Sequence, residues 1–178
     1  MQASKRQYGY NLVELVVIMA IVGIMASIAV PSYVSIVRSI KFNSVSSAVS
    51  ASLQQAKSEA IKLNRRVLVC ASNAAGTDCQ NATNWGTRGW IVCYDMDANG
   101  ACDTTTTALP NPIRVENKVD TAVTAVTGPA SPIRFNTNGS QGAVGATTVS
   151  VAVVGAWSSA PTKTTAVEAT GSIKTTKS

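Results

Sequence analysis

Four cysteines are the side chains with the plainest chemistry, and they fall in two equal intervals. Cys70 to Cys79 and Cys93 to Cys102 each enclose eight residues. An even number suits two disulfides in an oxidising compartment. Four cysteines permit three pairings, and the count does not choose among them. The two local pairings are favoured because each closes a loop that leaves a predicted strand. In the chain-entropy picture such a ten-residue loop contributes roughly 2.5–3 kcal/mol. Zinc would need C-x2-C spacing or histidine, and the chain has no histidine at all. That absence also removes His-based triads and general bases, and leaves a cysteine nucleophile without its base.

Acidic residues form a second group. Asp95, Asp97, Asn99 and Gly100 spell D-x-D-x-N-G, the opening of a calcium loop, and Asp103 takes its ninth place. The twelfth place is Thr106, where such loops carry a bidentate Glu. Asn-Gly is also a hairpin signal, so a hairpin turn is the favoured reading and calcium the second. Trp85, Trp90 and Trp157 suggest either a ligand platform or core residues. Trp90 alternates with Val92 and Tyr94 on one strand face and is assigned to the core. Gly139, Gly142 and Gly145 lack the Lys-Ser/Thr of a phosphate loop. No cofactor is expected, calcium apart.

These groups need elements to hold them. Apolar residues make up 46% of the chain and charged residues only 13%, with 15 basic against 9 acidic. A mild positive charge permits contact with nucleic acid without requiring it. From Leu15 to Val30 there is no charge, and counted back to Tyr10 the run is 21 residues broken only by Asn11 and Glu14. As a helix this spans roughly 31 Å, about one hydrocarbon core. It is too long for a cleaved secretory signal. A plain anchor leaves Glu14 unexplained, because a carboxylate in a spanning helix needs a partner or a role. A third reading places processing before the run, at Gly9, where the charged leader stops.

Beyond Pro31, Val45, Val49, Leu53, Ala56, Ala60 and Leu63 recur at helical spacing. One helix is expected from about residue 10 to about 65. Its first half is apolar all round, and its second half packs one stripe on a globular body. Lys62, Arg65 and Arg66 suit its last turns, where cations favour the dipole. From Val67 the pattern becomes VLVC, WIVCYD, PIRV, PIRFN and TTVSVAVVG, short β-branched runs separated by turn signals. The head is therefore read as β-rich and antiparallel, with Thr-rich loops at 104–107 and 162–165.

The stretch GYNLVELVVIMAIVGIMASIAVPSY resembles the class III signal of type IV pilins and type II secretion pseudopilins. Tyr10 stands for the usual Phe and Asn11 for the usual Thr, while Gly9, Glu14 and Pro31 are in place. SLQQAKSEAIKLNRRVLVCAS, NWGTRGWIVCYDMDANG, IRFNTNGSQG and EATGSIK resemble, in order, the later segments of the GspH/FimT group of minor pilins and pseudopilins. The resemblance covers nearly the whole chain. It implies an α+β type IV pilin fold, with a leader at 1–9, a membrane and filament-core half-helix at 10–31, an amphipathic half at 32–66 and a β-rich head at 67–178.

The resemblance also implies roles. Prepilin peptidase would cut after Gly9 and methylate the amine of Tyr10. Glu14 would pair with the N-terminal amine of a neighbouring subunit, coupling extraction from the membrane to docking. Before assembly the chain would sit once through the inner membrane with a periplasmic head, and afterwards at a pilus tip or in a periplasmic pseudopilus. Its partners would be other minor pilins, the major pilin and the inner-membrane assembly platform. The expected function is that of a minor pilin of the tip complex that primes the type IV pilus. The alternatives are minor pseudopilin H of a type II secretion system and a DNA-binding minor pilin of natural transformation. That last branch carries a C-terminal Gly-Arg-x-Arg-like motif. Here the matching stretch is Gly171, Ser172, Ile173 and Lys174, with Lys163 and Lys177 adding charge. No enzymatic activity is expected.

Overall fold

The structure, a computed structural model, describes residues 11–103, 110–117, 119–142 and 148–178, with the backbone alone at 29–31. A helix, α1, runs from Leu12 to Leu63. It remains helical through Pro31. It ends as helices often do, on a left-handed residue: Asn64 has φ 52°, and Arg65 N–H donates back to Ala60 O at 3.2 Å. Of the three basic residues expected in its last turns, Lys62 lies there and pairs with Glu59 at 3.5 Å, while Arg65 and Arg66 follow the helix. The chain divides between Ser39 and Ile40 into two compact units, so α1 contributes to both.

Among the described residues nine strands follow: β1 (Val67–Ser72), β2 (Cys79–Gln80), β3 (Trp90–Tyr94), β4 (Arg114–Glu116), β5 (Val123–Thr127), β6 (Ile133–Phe135), β7 (Thr148–Gly155), β8 (Thr162–Glu168) and β9 (Ile173–Lys177). Every described pairing is antiparallel. One sheet has the order β2-β1-β3-β4, with β6 also on β1, and the other has the order β5-β7-β8-β9. The expected runs VLVC, WIVCYD, PIRV, PIRFN and TTVSVAVVG hold β1, β3, the start of β4, β6 and β7 respectively. The Thr-rich segment 162–165, expected as a loop, is instead the start of β8. Its threonines alternate between a buried Thr165 and outward neighbours, and β-branched threonine fits a pleated surface well. The other expected Thr-rich loop, at 104–107, lies outside the described residues.

The helical stripe buries Phe42, Val49, Leu53, Ala56 and Ala60 against Val67, Val69, Trp90, Val92 and Tyr94 of the first sheet and Val151, Val153 and Val167 of the second. Leu63, expected in that stripe, is 40% exposed because the helix ends there. Phe42 extends the stripe one turn earlier and meets the Trp157 ring edge-on, with centroids 5.9 Å apart. β1 and β3 are buried on both faces. Leu68, Cys70, Ile91 and Cys93 form a second, smaller core on the side away from the helix.

All three tryptophans pack into the head. Trp90 is buried and its indole N–H donates to Ser52 Oγ at 3.0 Å. Trp85 is fully buried with its N–H on Pro129 O at 3.2 Å, and Gly128 lies flat against its ring, where a side chain would collide. Trp157 is half-buried at the rim of the main core.

Candidate functional site

The first candidate is the apolar half of α1. Every described side chain from Leu12 to Ile28 is exposed, large aliphatics included. An all-round apolar helix is stable only when something apolar surrounds it. The segment is long and apolar enough to cross a membrane. Glu14 lies in the first turn, where the unpaired N–H groups of the helix end favour a carboxylate. Leu15 N–H already donates to Asn11 O at 3.2 Å, so the helix is closed just ahead of it. Gly9 and Tyr10 lie outside the described residues, as does the side chain of Pro31.

The second candidate is the cysteine-bounded loop after β3. Cys70 is bonded to Cys79 and Cys93 to Cys102, both with Cα atoms 5.5 Å apart. The two bridges touch: the sulfurs of Cys79 and Cys102 are 3.9 Å apart. Between them sits Asp78, whose carboxylate accepts the backbone N–H of Cys79 at 2.7 Å and of Cys102 at 2.9 Å. Sequence reasoning missed Asp78, although an acid directly before a cysteine in a turn was a usable signal.

No hairpin forms at Asn99-Gly100. β3 pairs with β4 across a long connection, residues 95–113, and Asn99-Gly100 lies inside it. Two-residue hairpins need strands that meet directly at the turn, and here the Cys93–Cys102 bridge folds the chain back first. Gly100 has φ 86° and Ala98 φ 67°. The connection is held to β3 by Asn111, which accepts Tyr94 N–H at 3.0 Å and donates to Asp103 O at 2.6 Å.

This fold-back gathers the predicted acids. Carboxylate oxygens of Asp95, Asp97 and Asp103 all lie within 4.8 Å of one another. Asp97 accepts the backbone and side-chain N–H groups of Asn99, at 3.1 and 2.8 Å. Asn99 Oδ1 accepts Ala101 N–H at 2.7 Å, and Asp103 accepts Met96 N–H. Asp95 is fully buried, and neither of its carboxylate oxygens has a hydrogen-bond partner. Arg134 on β6 approaches to 3.8 Å, beyond hydrogen-bond reach. Nothing in the sequence signals Arg134, which arrives by the pairing of β6 with β1.

Lys163, Lys174 and Lys177 do not gather in the same way. Lys163 and Lys177 are directly paired across β8 and β9, and so share one face of the sheet. Lys174 pairs with Ala166 and points to the other face. Lys163 Nζ donates to Asn43 Oδ1 at 2.8 Å and lies 5.7 Å from the Phe42 ring centroid, while Lys174 is bonded to Glu168 at 2.7 Å. Gly171 is part of the β8–β9 turn. Its φ is 76°, Lys57 Nζ donates to its carbonyl at 2.9 Å, and a side chain there would strike Gly139 O. In Gly171-Ser172-Ile173-Lys174 the glycine thus does a turn's work.

Elsewhere in the head, burial and the neighbouring Glu59 carboxylate push the Tyr94 phenol above its usual pKa, an effect Arg65 partly opposes. The Tyr94 hydroxyl donates to Glu59 at 3.4 Å.

The sequence profile of the family described as type II transport protein GspH matches residues 46–171. The chain belongs to the GspH family. The match begins within α1 and covers the head from β1 to β8, including both cysteine loops and the acidic cluster, and stops before β9. No curated protein sequence matches significantly. Two crystal forms of the type IV minor pilin FimU from Pseudomonas aeruginosa share the fold. One has a TM-score of 0.51 at 17% identity, over 75% of this chain and 91% of that one. The other has a TM-score of 0.50 at 15% identity, over 75% of this chain and 86% of that one. This GspH-family chain therefore has the type IV pilin fold: a long N-terminal helix with an antiparallel β head. Its family and structural neighbours are filament subunits of the minor pilin and pseudopilin kind, not enzymes.

Proposed function

We propose that this chain is a minor pilin of the tip complex that primes assembly of a type IV pilus. The observation that carries the reading is the Leu12–Ile28 segment, exposed all round and holding one carboxylate, Glu14, in its first turn. Such a helix is satisfied by lipid before assembly and by the same helices of neighbours afterwards, and Glu14 gains a partner only in the second setting. Prepilin peptidase would cut after Gly9 in the inner membrane and methylate Tyr10. The freed amine of an adjacent major or minor pilin would then meet Glu14, with the assembly platform supplying the subunits. The head, with few charges and a helix shared with the membrane half, supports lateral packing with other minor pilins. Likeness to the FimU fold supports the pilus.

A second reading follows from the GspH profile itself: a minor pseudopilin of a type II secretion system. A deletion strain separates the two. Loss of surface pili and twitching with secretion intact is the expected result. Loss of exoprotein secretion with normal pili would overturn the pilus reading in favour of the pseudopilus, and failed transformation alone would favour DNA uptake. Complementation with Glu14→Ala should restore membrane-inserted protein but leave assembly at least about tenfold below wild type, the scale of losing a partner to a charge in an apolar setting. Assembly equal to wild type would refute the role given to Glu14.

A further inference from the structure

We propose that Asp95, Asp97 and Asn99, in the loop that the Cys93–Cys102 bridge closes, bind one calcium ion together with Asp103, the residue that follows it. The inference rests on the head alone and is independent of which filament the chain enters.

Three observations converge. The first is distance. Oxygens bound to one Ca2+ at about 2.3–2.6 Å can be no more than about 5 Å apart, and the three carboxylates meet that limit, all within 4.8 Å. The second is Asp95. A fully buried carboxylate with no hydrogen-bond donor on either oxygen is a costly state for a protein to hold. Its neighbours in the cluster are two further carboxylates, which make matters worse unless a cation lies among them. Arg134, with Nε 3.8 Å from Asp95, supplies one positive charge against three negative. The remaining charge of −2 is that of a divalent ion's complement.

The third observation is ligand chemistry. All the groups offered are oxygens, which suit calcium rather than zinc or copper. Asp97, Asn99 and Asp103 each accept hydrogen bonds within the loop, yet a carboxylate or amide oxygen has a second lone pair available. Magnesium prefers a small octahedron built largely of water, whereas several protein oxygens in an open loop suit calcium. The loop is already folded. Cys93 and Cys102 are covalently joined, Asn111 ties Asp103 to β3, and Gly100 makes the left-handed turn. Little ordering remains to oppose binding.

The test uses the full chain in detergent micelles, stripped with EGTA and titrated with CaCl2 at constant ionic strength. Equilibrium dialysis should find one ion per chain, with a dissociation constant of about 0.1–1 mM, the range of extracellular modules. At 10 mM calcium the apparent Tm should rise by about 3–10 °C. The Asp97→Asn/Asp103→Asn double variant should lose that rise while unfolding normally in EGTA. Should it not fold, Asp97→Asn alone, at an exposed position, should weaken binding at least about tenfold. No rise in the wild type, or an equal rise in the variants, overturns the proposal. An equal rise with magnesium overturns the choice of calcium.

Discussion

Residues 12–28 and residues 42–60 belong to one helix, yet their side chains meet opposite surroundings. In the first stretch Val16, Ile18, Met19 and Ile24 are all exposed, and apolar residues cover every side. In the second, burial follows a stripe, Phe42, Val49, Leu53, Ala56 and Ala60, with Lys57 off it. The second stretch is finished within its own chain. The first is not, and its apolar surface has value only in a lipid or protein setting. The contrast shows how a sequence marks a surface meant for others: by abandoning the 3.6-residue alternation that an internal core requires.

Paired substitutions can break this comparison. Leu53→Ala should cost the head about 2–5 kcal/mol in thermal unfolding, because Leu53 is fully buried. Val16→Ala should leave head unfolding within about 0.5 kcal/mol of wild type. Equal losses would mean that the two stretches are not distinct.

A smaller effect sharpens the packed side. Ser52→Ala should cost about 1–3 kcal/mol, because it strands the buried indole N–H of Trp90. An unchanged Tm would show that this hydrogen bond has a substitute.

The smallest effect is a matter of pH. Tyr94 has its pKa raised above the usual 10.0 by burial first and by Glu59 second. The unfolded chain then ionises its phenol before the folded chain does. Stability from keeping Tyr94 neutral is complete below pH 10.0 and is lost as pH rises through the folded value. Thermal unfolding from pH 8 to pH 11.5 should therefore decline more steeply in wild type than in Tyr94→Phe. Identical slopes would remove Tyr94 from the pH response.

Much of this architecture was legible in the residues. The helix, its two halves and the strands made of Val, Ile, Leu and Cys carry strong periodic signals. β8 did not, because Thr162, Thr164 and Thr165 read as polar turn chemistry until Thr165 and Val167 are seen to face inward. β5 and β9 were hidden for the same reason, being rich in Thr and Lys. At the acidic loop the sequence named every acid, but hairpin logic for Asn-Gly misjudged its backbone. The loop's defining fact, the buried and unsatisfied carboxylate of Asp95, arises from tertiary packing and so could not be read locally. The lysines show the converse: close in sequence pattern, Lys174 and Lys177 are sent to opposite faces by strand register alone.

The two bridges carry a mechanical consequence. When a folded chain is pulled from its ends, each bridge removes the residues it encloses from the length that can be drawn out. Nine residue steps would otherwise extend about 30 Å, and each bridge caps that span at 5.5 Å between Cα atoms. Each bridge thus makes its own loop inextensible, 70–79 and 93–102, and Asp78, accepting the N–H of Cys79 and of Cys102, holds the two loops together by hydrogen bonds alone. A chain under tension would lengthen outside these two loops first, and the segment from Cys93 to Cys102, with Asp95 and Asp97 in it, would stay short.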